Sequence, residues 1–398
     1  MSTLPPDLTK TEPDPRAEAQ AEALVGAYAR GTDNPYRRVA PPLLQPAEPF
    51  LDLGGEDIRR RMFLTTDPDG RELCLRPDLT IPVSCAYLAS PAAGKPAGYC
   101  YLGPIFRYHE GAAAEFLQVG IESFGRQDKA AADAEMLALA LEATRQYGVN
   151  APEIRMGDVA LFAAFIDALD LAPVWRRRLK KDFNRKASLA HDLDQLTVAP
   201  ANGSKEYQGV LAALAGSDRK AAHHLVADLL SIAGIATVGG RSVDEIAERF
   251  LEQSAVTAPT RLPRETRALI ERFLSLKGDP DEAASELRAL AADAKISFGV
   301  ALDLFETRTG FLVTRGVDVR KIKFSTAFGR RIDYYSGLVF ELHDPSSKTP
   351  AADPLVAGGR YDGLLARLGA REQIPAVGFA ASIENLAACG ETQTGRQR

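Results

Sequence analysis

A chain of 398 residues exceeds the usual single-domain size, so two units, or one domain carrying an insertion, are expected. Its 45% hydrophobic and 25% charged residues are those of an ordinary globular protein, and a net charge of −5 argues against a chain whose main task is gripping nucleic-acid phosphates. The four cysteines Cys74, Cys85, Cys100 and Cys389 show no CxxC spacing and only five histidines are present, so neither a metal site nor a disulfide framework is expected.

Residues 1–16 are rich in proline and scattered charge, which predicts a loosely docked arm. There is no basic segment followed by an apolar run at the N-terminus, and no stretch reaches the length of a membrane span; the expected location is the cytoplasm. From Arg16 to Arg30 the spacing of Ala, Leu and Glu predicts a helix ended by Gly31. The stretch YRRVAPPLLQPAEPFLDL then reads as extended. Its prolines lack the amide donor an internal strand needs, so an edge or interface position is expected.

Phe63-Leu64 and Glu72 to Leu75 read as two strands around the turn DPDG. LRPDLTIPVSCAYLA opens a helix with Pro82 near its first turn and Thr80 as the expected cap. Asp78 and Thr80, at a helix N-terminus, either hold the ammonium group of an amino acid or simply cap the helix. Tyr99 to His109 and Ala114 to Gly125 read as an antiparallel pair. Along the second strand Phe116, Gln118, Gly120 and Glu122 share one face, which predicts a ligand lying on the sheet where a side chain at Gly120 would be in the way. Arg107 on the facing strand is suited to pair with a carboxylate or phosphate in bidentate fashion, or else is a surface arginine.

ADAEMLALALEATRQYG is a periodic helix stopped by Gly148, and Ile154 to Val159 returns as a strand. From Leu161 to about Ala292 the pattern is almost wholly helical, broken at Asn202 and Val238, and reads as an inserted unit. In it Trp175, Leu179 and Phe183 form one stripe of a basic helix, APVWRRRLKKDFNRK, whose charges serve RNA or an acidic partner, or are only a solvated face. The adjacent His223 and His224 point in different directions on a helix and read as solvated or half-buried. A further helix spans Leu290 to Leu312. The segment FSTAFGRRIDYYSGLVFEL, Phe324 to Leu342, then reads as a hairpin turning at Ser336-Gly337, and AGGRYDGLLARLG follows from Ala357. The polar residues crowded beside this hairpin suggest a pocket. Strict alternation puts Arg330 and Tyr335 on opposite faces, so both line one pocket only if a bulge or turn intervenes.

The order LRPDLTIP, YLGPIFR, EFLQVGIESFG, GRRIDYY, GGRYDGL and VGFAASIE resembles the histidyl-tRNA synthetase family. The resemblance covers most of the chain outside the insert. It implies an α+β fold of the class II aminoacyl-tRNA synthetase type, an antiparallel sheet flanked by helices, with residues 17–160 and 293–398 forming that domain around a mostly helical insert at 161–292. It also implies a homodimer whose contact includes the strand near Pro42. By the same resemblance Asp78 stands where the family has a glutamate for the substrate amine, with Thr80 beside it. Arg107 matches the second-motif arginine, Gln118 and Glu122 the pair lining the histidine site, and Arg330 the arginine before DYY. Tyr334 lies in that DYY, and Tyr335 and Tyr361 match aromatic wall positions.

The departures point to a subgroup. SIENL places Asn385 where synthetases carry an arginine for ATP, and an amide supplies neither the charge nor the stacking plane of a guanidinium. Arg107 is followed by Tyr108 and His109 before Glu110, altering the family's RxE, and Ala114 replaces an arginine. Too few residues follow Asn385 for an anticodon-binding domain, so tRNA is not an expected partner. A retained amino-acid pocket without an ATP grip resembles the regulatory subunits of ATP phosphoribosyltransferase, the synthetase paralogues of histidine biosynthesis. That implies a non-catalytic chain without cofactor, partnered by the short-form catalytic subunit and sensing L-histidine. The alternative is a reduced histidyl-tRNA synthetase, or an amino-acid ligase acting on another acceptor.

Overall fold

The computed structural model describes residues 15–31, 35–108, 113–197, 262–330, 332–347 and 353–396. Of the arm read at residues 1–16, residues 1–14 lie outside them, as do His223, His224 and the breaks at Asn202 and Val238, while Pro15 and Arg16 already belong to the first helix. Two compact units are present, one formed by the chain up to Ala164 and again from Phe273, the other by Phe165–Arg272.

In chain order the elements are α1 (Pro15–Ala29), β1 (Arg37–Arg38), β2 (Leu44–Pro46), α2 (Glu48–Leu53), α3 (Gly55–Arg61), β3 (Phe63–Thr66), β4 (Glu72–Leu75), α4 (Thr80–Leu88), β5 (Ala97–Phe106), β6 (Glu115–Phe124), α5 (Lys129–Gln146), β7 (Glu153–Asp158) and α6 (Val159–Ala168). The second unit contributes α7 (Pro173–Asp182), α8 (Lys186–Thr197) and most of α9 (Arg264–Ser275). The chain continues through β8 (Lys277–Gly278), α10 (Pro280–Ala294), α11 (Gly299–Thr314), β9 (Ile322–Ser325), β10 (Leu338–His343), β11 (Val356–Arg360), α12 (Leu364–Arg367), β12 (Ala376–Ser382) and α13 (Ile383–Arg396). Helix α10, read in the sequence as part of the insert, belongs to the first unit.

A nine-stranded sheet in the order β1-β5-β6-β12-β11-β10-β7-β9-β8 organises the first unit. Its pairs are antiparallel except β1 with β5 and β7 with β9. A second sheet, β2-β4-β3, carries the DPDG turn between β3 and β4, as the turn residues require. The β5–β6 pair sets Tyr99 opposite Glu122, Tyr101 opposite Gly120 and Gly103 opposite Gln118. Helix α5 lies on β10, β11 and β12 and packs against α11. A buried apolar cluster fills the side occupied by α4, where the Tyr87 and Phe124 rings stack at 4.5 Å.

Several expectations are corrected. Phe324 to Leu342 is not a hairpin: β7 sits between β9 and β10, pairing parallel with the first and antiparallel with the second, and residues 326–337 form a connection across it. The strand β10 turns back instead onto β11. The extended reading of YRRVAPPLLQPAEPFLDL holds for β1 and β2 only, because Glu48–Leu53 is helical with Pro49 in its first turn, where its missing amide costs nothing. The helix read over Leu290 to Leu312 is two helices, α10 and α11, parted after Lys295, whose left-handed φ of 55° ends the first. The cap position of α4 is Leu79, with no side-chain cap; Asp78 before it accepts from the Ile81 amide at 3.1 Å, while Thr80 is already helical and its hydroxyl goes to Glu122.

Candidate functional site

A cavity of about 520 Å³ opens on the sheet over β6, β12 and the residue following β11. Asp78, Thr80, Arg107, Gln118, Glu122, Arg330, Tyr334, Tyr335 and Tyr361 all line it. Glu122 lies at its buried end, 1% exposed. One carboxyl oxygen receives the Thr80 hydroxyl at 2.8 Å and the Tyr101 hydroxyl at 3.2 Å; the other receives the Tyr361 hydroxyl. No ion pair to Glu122 is present among the described residues. Burial pushes its carboxyl up to about 8, with Asp78 adding to the rise and the three hydroxyls pulling against it. Asp78 is pushed up by burial too, opposed chiefly by the Arg107 charge.

Arg107 follows directly on β5. Its Nε donates to the Pro77 carbonyl at 2.6 Å and its guanidinium lies 5.8 Å from the Phe116 ring centre, so Arg107 is tied into the wall. Gln118 is buried with Oε1 unpartnered, a rare state for a buried amide. Arg330 donates to Glu341 at 3.1 Å and to the Tyr335 hydroxyl at 2.8 Å. Arg330 and Tyr335 therefore meet despite strand alternation, because the connection between β9 and β10 is not a strand.

Gly120 is required by the protein itself. A Cβ there would collide with the Tyr101 hydroxyl and the Phe379 carbonyl, so the space above Gly120 belongs to the Tyr101 phenol, which crosses from the paired position to reach Glu122. The sequence reading assigned that space to a ligand. Gly359 serves similarly, since a Cβ at 2.9 Å from the Tyr335 ring would displace it.

Tyr101, Glu341, Ser382 and Glu384, in or behind the cavity wall, escaped the sequence reading. Tyr101 becomes visible only once the β5–β6 register is known. Glu341 is the acidic member of β10 and the partner that holds Arg330, its signal being a lone carboxylate in an apolar strand. Glu384 lies beside Asn385 at the other end of the cavity and accepts from the Leu117 amide at 2.7 Å. Ser382, paired with Gln118 in the sheet, completes that end.

Elsewhere, Trp175, Leu179 and Phe183 form the buried stripe read for α7. Much of the helix's basic charge is committed within its own unit: Arg178 pairs with Asp192 at 2.6 Å, Lys180 with Asp167 at 2.8 Å, and Arg176 binds the Leu171 carbonyl at 2.9 Å. Among the described residues no helix is long and apolar enough to cross a membrane, and no group of three or more His, Cys, Asp or Glu side chains is placed to hold a metal ion.

The histidyl-tRNA synthetase family model matches residues 12–250 and 223–386. An ATP phosphoribosyltransferase regulatory subunit from Brucella canis is 42% identical over 359 residues, covering 88% of this chain and 93% of the relative. The chain belongs to the ATP phosphoribosyltransferase regulatory subunit family. Its relatives in that family include the Brucella suis protein, with the same identity and coverage. Among solved structures, one from Bacillus halodurans described as an ATP phosphoribosyltransferase regulatory subunit/histidyl-tRNA synthetase superposes with a TM-score of 0.61 at 21% identity, covering 94% of this chain and 78% of that one. A histidine–tRNA ligase subunit from Alicyclobacillus acidocaldarius superposes at 0.58 with 23% identity, covering 99% and 98%. The fold of the family is thus that of the class II histidyl-tRNA synthetases, and the α+β architecture read from the sequence agrees with it.

Proposed function

We propose that this chain is a non-catalytic regulatory subunit of ATP phosphoribosyltransferase in histidine biosynthesis, required by the short-form catalytic subunit and responsible for feedback inhibition by L-histidine. Beside family membership, one observation carries the reading: the cavity keeps carboxyls at Asp78 and Glu122 for an amine, yet presents the amide of Asn385 where a synthetase needs a guanidinium for ATP. In this reading Glu122, Asp78 and the free Gln118 oxygen take the ammonium group of histidine and Arg107 its carboxylate. Tyr335 and Tyr361 face the imidazole, while Thr80, Tyr334 and Arg330 shape the walls. Inhibition requires histidine to bind the inhibited assembly more tightly than the active one, by about 1 to 3 kcal/mol in typical cases.

Two copies would meet through the face around Pro42, where Leu43, Leu44 and Leu64 stand 45%, 51% and 50% exposed on and beside the small sheet. Mixing the chain with a matching short-form catalytic subunit tests the assignment. ATP phosphoribosyl transfer is expected only from the mixture, and added histidine is expected to suppress it; a catalytic subunit fully active alone would overturn the reading. Arg107, at the position of the family's second-motif arginine and on the cavity wall, favours a second reading, a reduced synthetase or amino-acid ligase. Histidine-dependent exchange of pyrophosphate into ATP separates the two, and none is expected here.

A further inference from the structure

We infer that the outward face of helix α11 is the surface on which the short-form catalytic subunit docks. The inference rests on the reading of the chain as a regulatory subunit and deepens it, by naming the face that the partner covers.

Among the described residues the exposed large apolar side chains, Tyr108 apart, fall in two places: Leu43, Leu44 and Leu64 at the small sheet, and Val300, Phe311 and Val313 on α11, which stand 86%, 40% and 55% exposed. The small sheet is the face assigned above to a second copy. A chain that binds both its own copy and a different polypeptide needs a second face, and α11 supplies one.

Helix geometry gathers that face. Leu302, Phe305, Arg308, Thr309 and Leu312 are buried, with α11 packed on α5 and α10. The opposite side is centred on the exposed Gly310, with Phe311 and Val313 to either side, Thr307 and Thr314 about one turn before and after, and Val300 about three turns before Phe311. Between Thr307 and Thr314 that side carries no charge. The charges at its two ends are already paired: Asp303 and Glu306 both accept from Arg288 of α10, at 3.1 and 2.6 Å, and Arg315 donates to Glu135 at 3.1 Å. The Thr307 and Thr314 hydroxyls donate within their own helix, to the carbonyls of Asp303 at 2.6 Å and Gly310 at 3.0 Å. Covering this side therefore leaves no charge and no hydroxyl proton without a partner, as the centre of a protein interface requires.

Gly310 is a further sign that something comes close. A glycine inside a helix weakens it, and here a Cβ would meet nothing within 4 Å, so the chain's own packing does not ask for one. The notch it leaves between Phe311 and Val313 admits the backbone of an approaching element nearer than a larger side chain would allow.

The catalytic subunit, rather than a further copy, is the occupant because α11 is tied to the ligand cavity. Arg308, on its buried side, donates to Asp133 of α5 at 2.8 Å; Asp133 also accepts from Arg360 at 2.8 Å, and Arg360 directly precedes Tyr361 in the cavity wall. Two ion pairs thus join the docking helix to the cavity. A subunit that reports a ligand to its partner needs such a contiguous connection, and by linkage ligand and partner then change each other's affinity by one factor.

The test titrates the full-length chain by calorimetry with the purified short-form catalytic subunit, and separately with L-histidine, for the parent chain, for Gly310→Gln and for Val300→Asp combined with Phe311→Asp. Gly310→Gln fills the notch with a good helix former and should raise the melting temperature of the chain alone. It should nonetheless weaken binding of the catalytic subunit at least about tenfold. The double variant should abolish that binding. Both variants should keep the parent chain's affinity for histidine, and sedimentation velocity should show each, by itself, in the parent chain's oligomeric state. Affinity for the catalytic subunit unchanged in Gly310→Gln or in the double variant would overturn the docking face while leaving the regulatory reading standing. A changed oligomeric state of either variant alone would overturn it as well, giving α11 to a second copy. A parent chain that binds no catalytic subunit would overturn the regulatory reading and the docking face together.

Discussion

Asp133 on α5 accepts from Arg308 of α11 with one carboxylate oxygen and from Arg360 of β11 with the other, each at 2.8 Å, and is itself fully buried. Arg308 also reaches Asp158 at 2.6 Å, while Arg360 reaches Asp362 at 2.8 Å. Asp362 in turn holds Lys129 at 2.7 Å. Three cations and three carboxylates thus close a neutral network behind the sheet. Because Arg360 directly precedes Tyr361, this network also fixes the backbone from which Tyr361 reaches Glu122.

Removing Asp133 leaves two buried guanidinium groups short of a partner. Asp133→Ala is expected to lower stability by about 3 to 5 kcal/mol. Asp158→Ala strips only Arg308, which keeps Asp133, and should cost less. Urea unfolding of the two variants, compared with the parent chain at one pH, gives the order.

Glu122 makes stability depend on pH with a definite sign. Its folded-state value of about 8 lies above the ordinary 4.5, so the folded chain binds more protons than the unfolded one and stability falls as pH rises through that window. The slope from this one group is at most about 1.4 kcal/mol per pH unit and levels off above pH 8. Glu122→Gln should remove that slope, so the variant gains on the parent chain with rising pH. Thermal or denaturant melts taken between about pH 5 and 9 without ligand provide the check.

Gly120→Ala should cost about 1 to 3 kcal/mol, because its Cβ meets a backbone carbonyl as well as a phenol. Tyr101→Phe in the same chain should recover little, since the Phe379 carbonyl remains in place. A double-mutant comparison of unfolding midpoints separates the two contacts.

The exposed leucines of the small sheet give a prediction with no folded-state penalty. Leu44→Asp combined with Leu64→Asp places two charges where water already reaches and should leave the melting temperature within a few degrees. On the proposed dimer contact, sedimentation velocity should show the parent chain sedimenting as a dimer and the double variant as a monomer at the same concentration.

The polar face of β6 was legible because strand periodicity is local: Phe116, Gln118 and Glu122 fall two apart whatever lies around them. The two connected strands of β3 and β4 were legible from their turn chemistry. Pairing across long distances was not. Alternation on both sides of Ser336-Gly337 looks the same whether the flanking strands bond to each other or to a third, and β7, far earlier in the chain, takes the place between them. The role of Asp133 was hidden for a related reason. In an alanine-rich helix a lone aspartate reads as solvent-facing until Arg308 and Arg360, both more than 170 residues away, are brought to it. Thr80 was read as the cap of α4 because a hydroxyl just ahead of an apolar helix is a good capping group, and only the Glu122 carboxyl, brought up by the sheet, engages it elsewhere.

The seating of β7 between β9 and β10, and of β6 beside β12, bears on how the chain comes together during synthesis. Both early strands find their later neighbours only after the Phe165–Arg272 excursion has left the ribosome. Until then a nascent chain shows open rows of amide and carbonyl groups to other polypeptides, so shortened products ending before Leu338 should be the ones that clump and the ones that chaperones retain.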